Sequence, residues 1–410
     1  VLAALSPFLV WYSQETRHYA LGILAAAWSA ITFLDLIDEQ SSGGASAGRG
    51  VTAGHGASFT PRLVACYGIS LLIGLMSHLA TAFLIGAHAL VILLWRRNRW
   101  KPWLMAVVPA LVFFSPWIWV TITRNVNLAH VAAAGPVPEG ELLRGESTFS
   151  WMGIPYTFFV LLAGYSLGPT LVELHDAPRL ATVTPYFAPI LLLILGAAGL
   201  GLGGIAALRR NRAHLGLVLF CVAVPLIGVT LLSMRNAKVF HPRYVAVALP
   251  LVLALLGAGF AWWRERRPAI AWLLVLLIGA PLGLSLANYF TNGRYAREDS
   301  RGAARILADR AAPDDIVLAQ GAPQLLDWYD HGPAPVVVVY EPWVRDRAAL
   351  DARLDGWAAG RRHVWLMSVR PWLQDPKLLL RAGLEARWGP GEVHPLNGVT
   401  LIRYDRKGAP

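Results

Sequence analysis

Apolar runs of about twenty residues, several closed by arginine-rich clusters, fill the chain as far as Ala287 and leave few folds open. A helix needs roughly 20 residues to cross the ~30 Å hydrocarbon layer, where every backbone polar group must be satisfied within the segment. Runs at 17–37, 102–122, 186–208, 215–233, 244–262 and 269–288 meet that length, and 1–12 reads as the end of a further span. Composition agrees: 56% of residues are hydrophobic and only 15% charged, with a mean hydropathy of +0.48. Soluble domains carry about 25% charge. The run 62–95 would form a helix of about 51 Å, too long for one span. "MSHLAT" lies at its middle, so two short helices turning near Ser77 and His78 are expected. The chain opens within an apolar run, without a signal-peptide pattern, and upstream sequence is expected.

Charge orients these spans. The clusters "RRNRWK" (96–101), "RRNRAH" (209–214) and "RERR" (264–267) each follow an apolar run, as basic residues do at cytoplasmic helix ends. One orientation satisfies all three. It puts the Gly/Ser-rich, flexible loop 38–61 inside, and "YSQETRHY", the Ser77–His78 turn, 123–185 and everything after 288 outside. The net charge of +11 therefore belongs to membrane topology, and no basic face for nucleic acid stands out. Cys66 and Cys221 both sit in apolar runs, as packing residues rather than a disulfide.

After 288 the composition is that of a soluble domain, close to neutral. "ARILADRAAPDDIVLAQG" reads as helix, turn and buried strand; "APVVVVYE" and "RRHVWLMSV" read as further buried strands, with "RDRAALDARLDGWAAG" helical between them. This alternation predicts a small α/β domain with a largely parallel sheet. The fold class is a polytopic α-helical membrane protein, 1–288, carrying an extracytoplasmic α/β domain, 289–410.

Two polar clusters interrupt the apolar sequence. In "SMRNAKVFHPRYVAVALP" (233–250), Arg235, Lys238, His241 and Arg243 bring four candidate cations to the membrane face, and Pro242 restricts the backbone of His241. Interfacial anchoring by snorkelling side chains explains an isolated arginine there. A cluster on the outer side runs against the positive-inside bias, and an anionic lipid phosphate explains it, because arginine binds phosphate bidentately. In "YSQETRHYAL", Tyr12, Glu15 and Tyr19 share a helical face while Arg17 and His18 point elsewhere. A helix cap and a tyrosine belt account for much of this pattern. His78, a lone histidine at a turn, reads as structural more readily than as chemical.

Other signals fail. "GLGLGG" (199–204) ends a membrane run with no strand before it, so Gly199 and Gly203 are expected to serve close helix packing rather than dinucleotide binding. The chain has no Cys/His metal spacing, nucleophile elbow or P-loop. Glu139, Glu141 and Glu146 lie in a Pro/Gly-rich segment that reads as a solvated loop.

In their order, "SPFLVWYSQETRHYAL", "SHLATAFLIGAHALVILL", "FHPRYVAVALP" and "REDSRGAARILADRAAPDDIVLAQG" resemble bacterial members of the glycosyltransferase 39-like group. These are polytopic GT-C enzymes of the cell envelope, related to protein mannosyltransferases and aminoarabinose transferases. The resemblance spans nearly the whole chain. It implies inverting transfer of a sugar from a polyprenyl-phosphate carrier to a glycan, lipid or protein acceptor on the outer face of the cytoplasmic membrane. The implied donor substrate is the polyprenyl-phosphate sugar; no cofactor is assigned, and no residue is assigned to a metal. In that family the catalytic carboxylate lies in the first external loop, which is expected to precede Val1, so no base is assigned here and Glu15 is expected to play a supporting part. The candidate substrate-binding residues are Glu15, Arg17, Tyr19, His78, Arg235, Lys238, His241, Arg243 and Tyr244. A transporter or flippase that grips the same phosphate without breaking a bond, and a membrane scaffold, are the alternative readings.

Overall fold

The computed structural model describes residues 2–15, 18–38, 61–124, 150–170, 173–174, 180–235, 240–321, 324–339, 347–371, 375 and 377–405. The chain forms two compact units, one of Val1–Pro136, Thr148–Gly168 and Pro185–Leu286, the other of Val137–Ser147, Pro169–Thr184 and Ala287–Pro410.

The first unit is helical. Its main elements are α1 (Pro7–Ser13), α2 (Tyr19–Asp38), α3 (Pro61–Ser77), α4 (Thr81–Trp95), α5 (Trp100–Arg124), α6 (Gly153–Ala163), α7 (Phe187–Leu208), α8 (Arg212–Met234), α9 (Leu249–Arg266) and α10 (Pro268–Thr291, whose last turns enter the second unit). Six helical stretches among the described residues are long and apolar enough to cross a membrane: Tyr19–Asp38, Arg97–Val120, Thr184–Leu208, Arg212–Met234, Pro242–Arg266 and Pro268–Thr291. Their outer faces match that role. Phe113 is 70% exposed and Leu202 65%, a heavy cost in water and none against lipid tails. This is the helix inventory of a polytopic membrane protein.

Three expectations are corrected. The run 1–12 is not the end of a longer helix: α1 starts at Pro7, with Ser6 as its N-cap accepting from Leu9 N at 3.3 Å. Proline at the first helical position has no N–H to leave unpaired, and that sets the start. The region 123–185, expected as external loop, contains the apolar helix α6. The third concerns the sheet, below. The run 62–95 breaks between α3 and α4, at His78–Ala80.

Two cores hold most of the bundle. Phe33, Tyr67, Leu71, Leu84, Phe114 and Cys221 pack α2, α3, α4, α5 and α8 together. Leu193, Leu200, Leu256, Leu274 and Ile278 join α7, α9 and α10. At the second, Gly203, Gly204 and Gly259 let backbones touch: a Cβ on Gly259 would stand 1.8 Å from the Leu200 carbonyl oxygen. Trp263 Nε1 donates to Gly199 O at 2.9 Å. Small residues serve such approaches because lipid supplies no hydrophobic drive between helices.

The second unit holds α11 (Ser300–Arg310), β1 (Ile316–Gln320), α12 (Gln324–Trp328), β2 (Val336–Val338), α13 (Arg347–Ala358), β3 (His363–Val369), α14 (Leu379–Trp388), β4 (Glu392–Leu396) and β5 (Val399–Asp405). The strand order is β2-β1-β3-β5-β4. β1 runs parallel to β2 and β3, while β5 is antiparallel to β3 and β4, so the sheet is mixed rather than largely parallel. The reason is local. Leu396 pairs with Val399 across Asn397-Gly398, with Gly398 at φ +65°, and a two-residue Asn-Gly connection can only turn the chain back on itself. Both faces are covered. Val317 and Ala319 pack with Ala303, Ala304 and Leu307 of α11, and Ile316 and Leu318 with Leu350, Leu354 and Leu384 of α13 and α14.

Candidate functional site

The site forms where several helix ends of the first unit meet. At the α3–α4 break, Gly74 admits the Thr81 side chain, which would stand 2.7 Å from a Cβ there. The His78 Nδ1 accepts from Ala80 N at 3.0 Å and closes the turn. Before α9 the same device recurs. His241 is extended (φ −148°, ψ 135°), as a residue before proline must be. Its Nδ1 accepts from Arg243 N at 3.2 Å, capping the 3-10 segment Pro242–Ala248. With Nδ1 accepting a backbone N–H, each neutral imidazole carries its proton on Nε2.

Rings link these turns to the start of α2. His78 lies 5.4 Å from Tyr19, 5.8 Å from Tyr244 and 5.5 Å from His18, between ring centroids. His241 is 6.2 Å from Tyr244 and 6.4 Å from Tyr165. Tyr12 meets Tyr19 at 5.1 Å, and its hydroxyl lies 3.1 Å from that of Tyr165. Arg243 stands within this shell, half-buried. Its Nη2 donates to the Tyr244 hydroxyl at 3.1 Å, and its guanidinium carbon lies 5.7 Å from the Tyr19 ring centroid and 5.1 Å from that of Tyr244. Among the described residues no carboxylate forms an ion pair with it, and its Nε is buried without a hydrogen-bond partner. Stacked arginine beside phenol and imidazole donors is a setting for an oxyanion.

The structure therefore brings Tyr19, His78, His241, Arg243 and Tyr244 together. Glu15 follows α1, half-buried, with its N–H donating to Tyr12 O at 3.4 Å; it adjoins the cluster through Tyr12. Arg235 is exposed at the C-cap of α8, and no hydrogen bond or ion pair joins it to the cluster among the described residues. Arg17 and Lys238 lie outside the described residues. Three members were not singled out from the sequence as site residues: Tyr12, His18 and Tyr165. The first two stand inside the quoted polar run and could have been included; Tyr165 is one aromatic in an apolar stretch, with no local signal.

The basic clusters lie at helix ends remote from this site. α4 starts beside His78 and ends at Trp95, and α9 starts beside Tyr244 and ends at Arg266. α2 runs from Tyr19 to Asp38, about 28 Å at 1.5 Å per residue. There Asp38 Oδ2 lies 2.6 Å from His214 Nε2, and Arg96 approaches the same carboxylate at 3.7 Å. Among the described residues no group of three or more His, Cys, Asp or Glu could hold a metal ion. Comparison with protein-family models, curated proteins and solved structures finds no match.

Proposed function

We propose that the chain is the membrane module of a glycosyltransferase that moves a sugar from a polyprenyl-phosphate carrier to an acceptor at the outer face of the cytoplasmic membrane. The observation that carries this reading is Arg243, a guanidinium that pairs with no carboxylate among the described residues, set against the rings of two tyrosines in the cluster that also holds His78 and His241. It begins a helix long and apolar enough to cross a membrane, at the depth where a lipid-linked phosphate travels. The Arg-rich clusters at the opposite helix ends favour an outward-facing site by the positive-inside rule. The domain after 288 is then extracytoplasmic as well.

In the reaction, the acceptor oxygen attacks the anomeric carbon while the bond from that carbon to the phosphate oxygen breaks. The electron pair leaves with the carrier phosphate, and the acceptor proton goes to a base that this chain's described residues do not identify. Arg243 and the imidazole N–H groups bind the phosphate and stabilise the charge that grows on it, which is transition-state stabilisation by fixed donors. Transfer assayed with a panel of polyprenyl-phosphate sugars tests this. Arg243→Ala should abolish turnover while membrane insertion survives; unchanged turnover refutes the role.

A further inference from the structure

Between the end of α9 and the start of α10 the chain turns through Arg264, Arg266 and Arg267, with Glu265 as the one carboxylate among them, and all four are exposed. The turn is tight: Arg267 N donates to Trp263 O at 2.7 Å, and Pro268, which has no N–H to leave unpaired, opens α10. Aromatic rings hold the guanidiniums at this level. Arg266 lies over Trp262, 4.4 Å from the ring centroid, and its Nη1 donates to Trp262 O at 3.0 Å. Arg264 lies 5.9 Å from the Phe260 ring, which in turn meets Trp272 of α10 at 5.2 Å between centroids. Trp272 is exposed, as are Leu273 and Leu276 further along α10. Indoles beside arginines at the ends of two long apolar helices mark the headgroup level of a bilayer.

Arginines after α4 are engaged by the protein itself. Arg96 pairs with Asp38, Arg97 Nε donates to Leu93 O at 2.6 Å, and Arg99 is buried. At the α9–α10 turn Arg266 meets Glu265 at 3.6 Å, but among the described residues Arg264 and Arg267 have no carboxylate partner. The positive-inside bias requires only net charge. Three guanidiniums within four positions, two of them set against rings, repel one another unless a counter-charge joins them.

We infer that this turn binds the phosphate of an anionic phospholipid, whose acyl chains lie along the exposed apolar flank of α10. Net positive charge selects an anionic headgroup over a zwitterionic one, and the guanidinium fork suits phosphate oxygens. The inference uses no residue of the transferase reading and does not depend on it.

The full chain, labelled with 5-fluorotryptophan and held in phosphatidylcholine nanodiscs, gives the readout by fluorine NMR. The Trp272 signal is the one lost in Trp272→Phe. It should move and saturate as phosphatidylglycerol replaces phosphatidylcholine, whereas glycerol 1-phosphate, the same headgroup without chains, should leave it in place. In Arg264→Gln/Arg266→Gln/Arg267→Gln the phosphatidylglycerol fraction at half-saturation should rise roughly tenfold or more, since each basic residue near an anionic leaflet strengthens binding about fivefold. Arg266→Lys keeps the charge that orients the helices, guards against misinsertion of the triple variant, and should weaken the response roughly two- to fivefold through the lost stack on Trp262. Arg62→Gln/Arg97→Gln, which removes two exposed arginines at the ends of other helices, should leave the response unchanged. No movement with phosphatidylglycerol, an equal response to glycerol 1-phosphate, an undiminished response in both variants of the turn, or an equal loss in Arg62→Gln/Arg97→Gln overturns the inference.

Discussion

Gly259→Ala probes the close crossing of α7 and α9. The added Cβ would sit 1.8 Å from Leu200 O and 2.8 Å from Gly204 N, both backbone atoms that no rotamer change can move. Ordinary contact lies near 3.5 Å, so the two helices must part by on the order of 1.5 Å. A gap of 0.5–1 Å already forfeits about a quarter to a half of each contact's dispersion energy, so the packing of Leu255, Leu256 and Trp263 across the crossing suffers together. The Trp263–Gly199 hydrogen bond, worth roughly 0.6 kcal/mol in a membrane, is strained too. Overpacking costs typically about 1–3 kcal/mol. Replacing glycine inside a helix returns at most about 1 kcal/mol of propensity. The net expectation is a loss of about 2 kcal/mol. Gly257→Ala, two residues away in the same helix, meets nothing within 4 Å and should gain stability. Thermal unfolding, read by maleimide labelling of the fully buried Cys221 in a Cys66→Ser background, separates the two variants. At roughly 2–4 °C per kcal/mol for a unit of this size, they should melt at least about 4 °C apart. Equal melting temperatures would refute the claim that backbone contact at Gly259 sets this interface.

Burial pushes the Tyr404 phenol up to about 12, above its ordinary value of 10.0. A group whose folded pKa is raised stabilises the fold below its unfolded pKa and loses that contribution as pH rises through the folded one, here between about 10 and about 12. Tyr404→Phe should flatten the alkaline unfolding curve of the C-terminal domain in that window; an unchanged curve contradicts the assignment. Arg387 hydrogen-bonds Asp351 and Asp355 and holds both carboxyls below their ordinary range. Their contribution is therefore present above the unfolded pKa and lost as pH falls through the folded values. Arg387→Gln should make acid unfolding of this domain less steep below pH ~4, and because these carboxylates are exposed, molar salt should shrink the difference, as chemical denaturation across pH would show.

Much of the architecture was legible because it follows from spacing. Twenty-residue apolar runs dictate the long helices, "MSHLAT" marks the break before α4, and Gly199 and Gly203 lie at close helix contacts. Alternating patterns after 288 placed α11, β1, α13 and β3. What escaped depends on contacts distant in sequence or on a single dipeptide. Asn397-Gly398 folds β4 back on β5 and changes the sheet from largely parallel to mixed. In the site, His241-Pro242-Arg243 announced itself by charge beside proline, whereas Tyr165 reaches His241 from α6's C-terminal side, a meeting that no local pattern encodes. Arg235, only eight positions from Arg243, shared its charge but not its place: α8 ends there, and the side chain stays exposed.

Binding of a short-chain polyprenyl phosphate to the full-length protein in nanodiscs tests the central claim most directly, comparing wild type with Arg243→Ala and Arg235→Ala. The account predicts that Arg243→Ala weakens binding roughly tenfold or more, the loss expected for charged hydrogen bonds, while Arg235→Ala leaves it unchanged. Equal affinity in wild type and Arg243→Ala would contradict it.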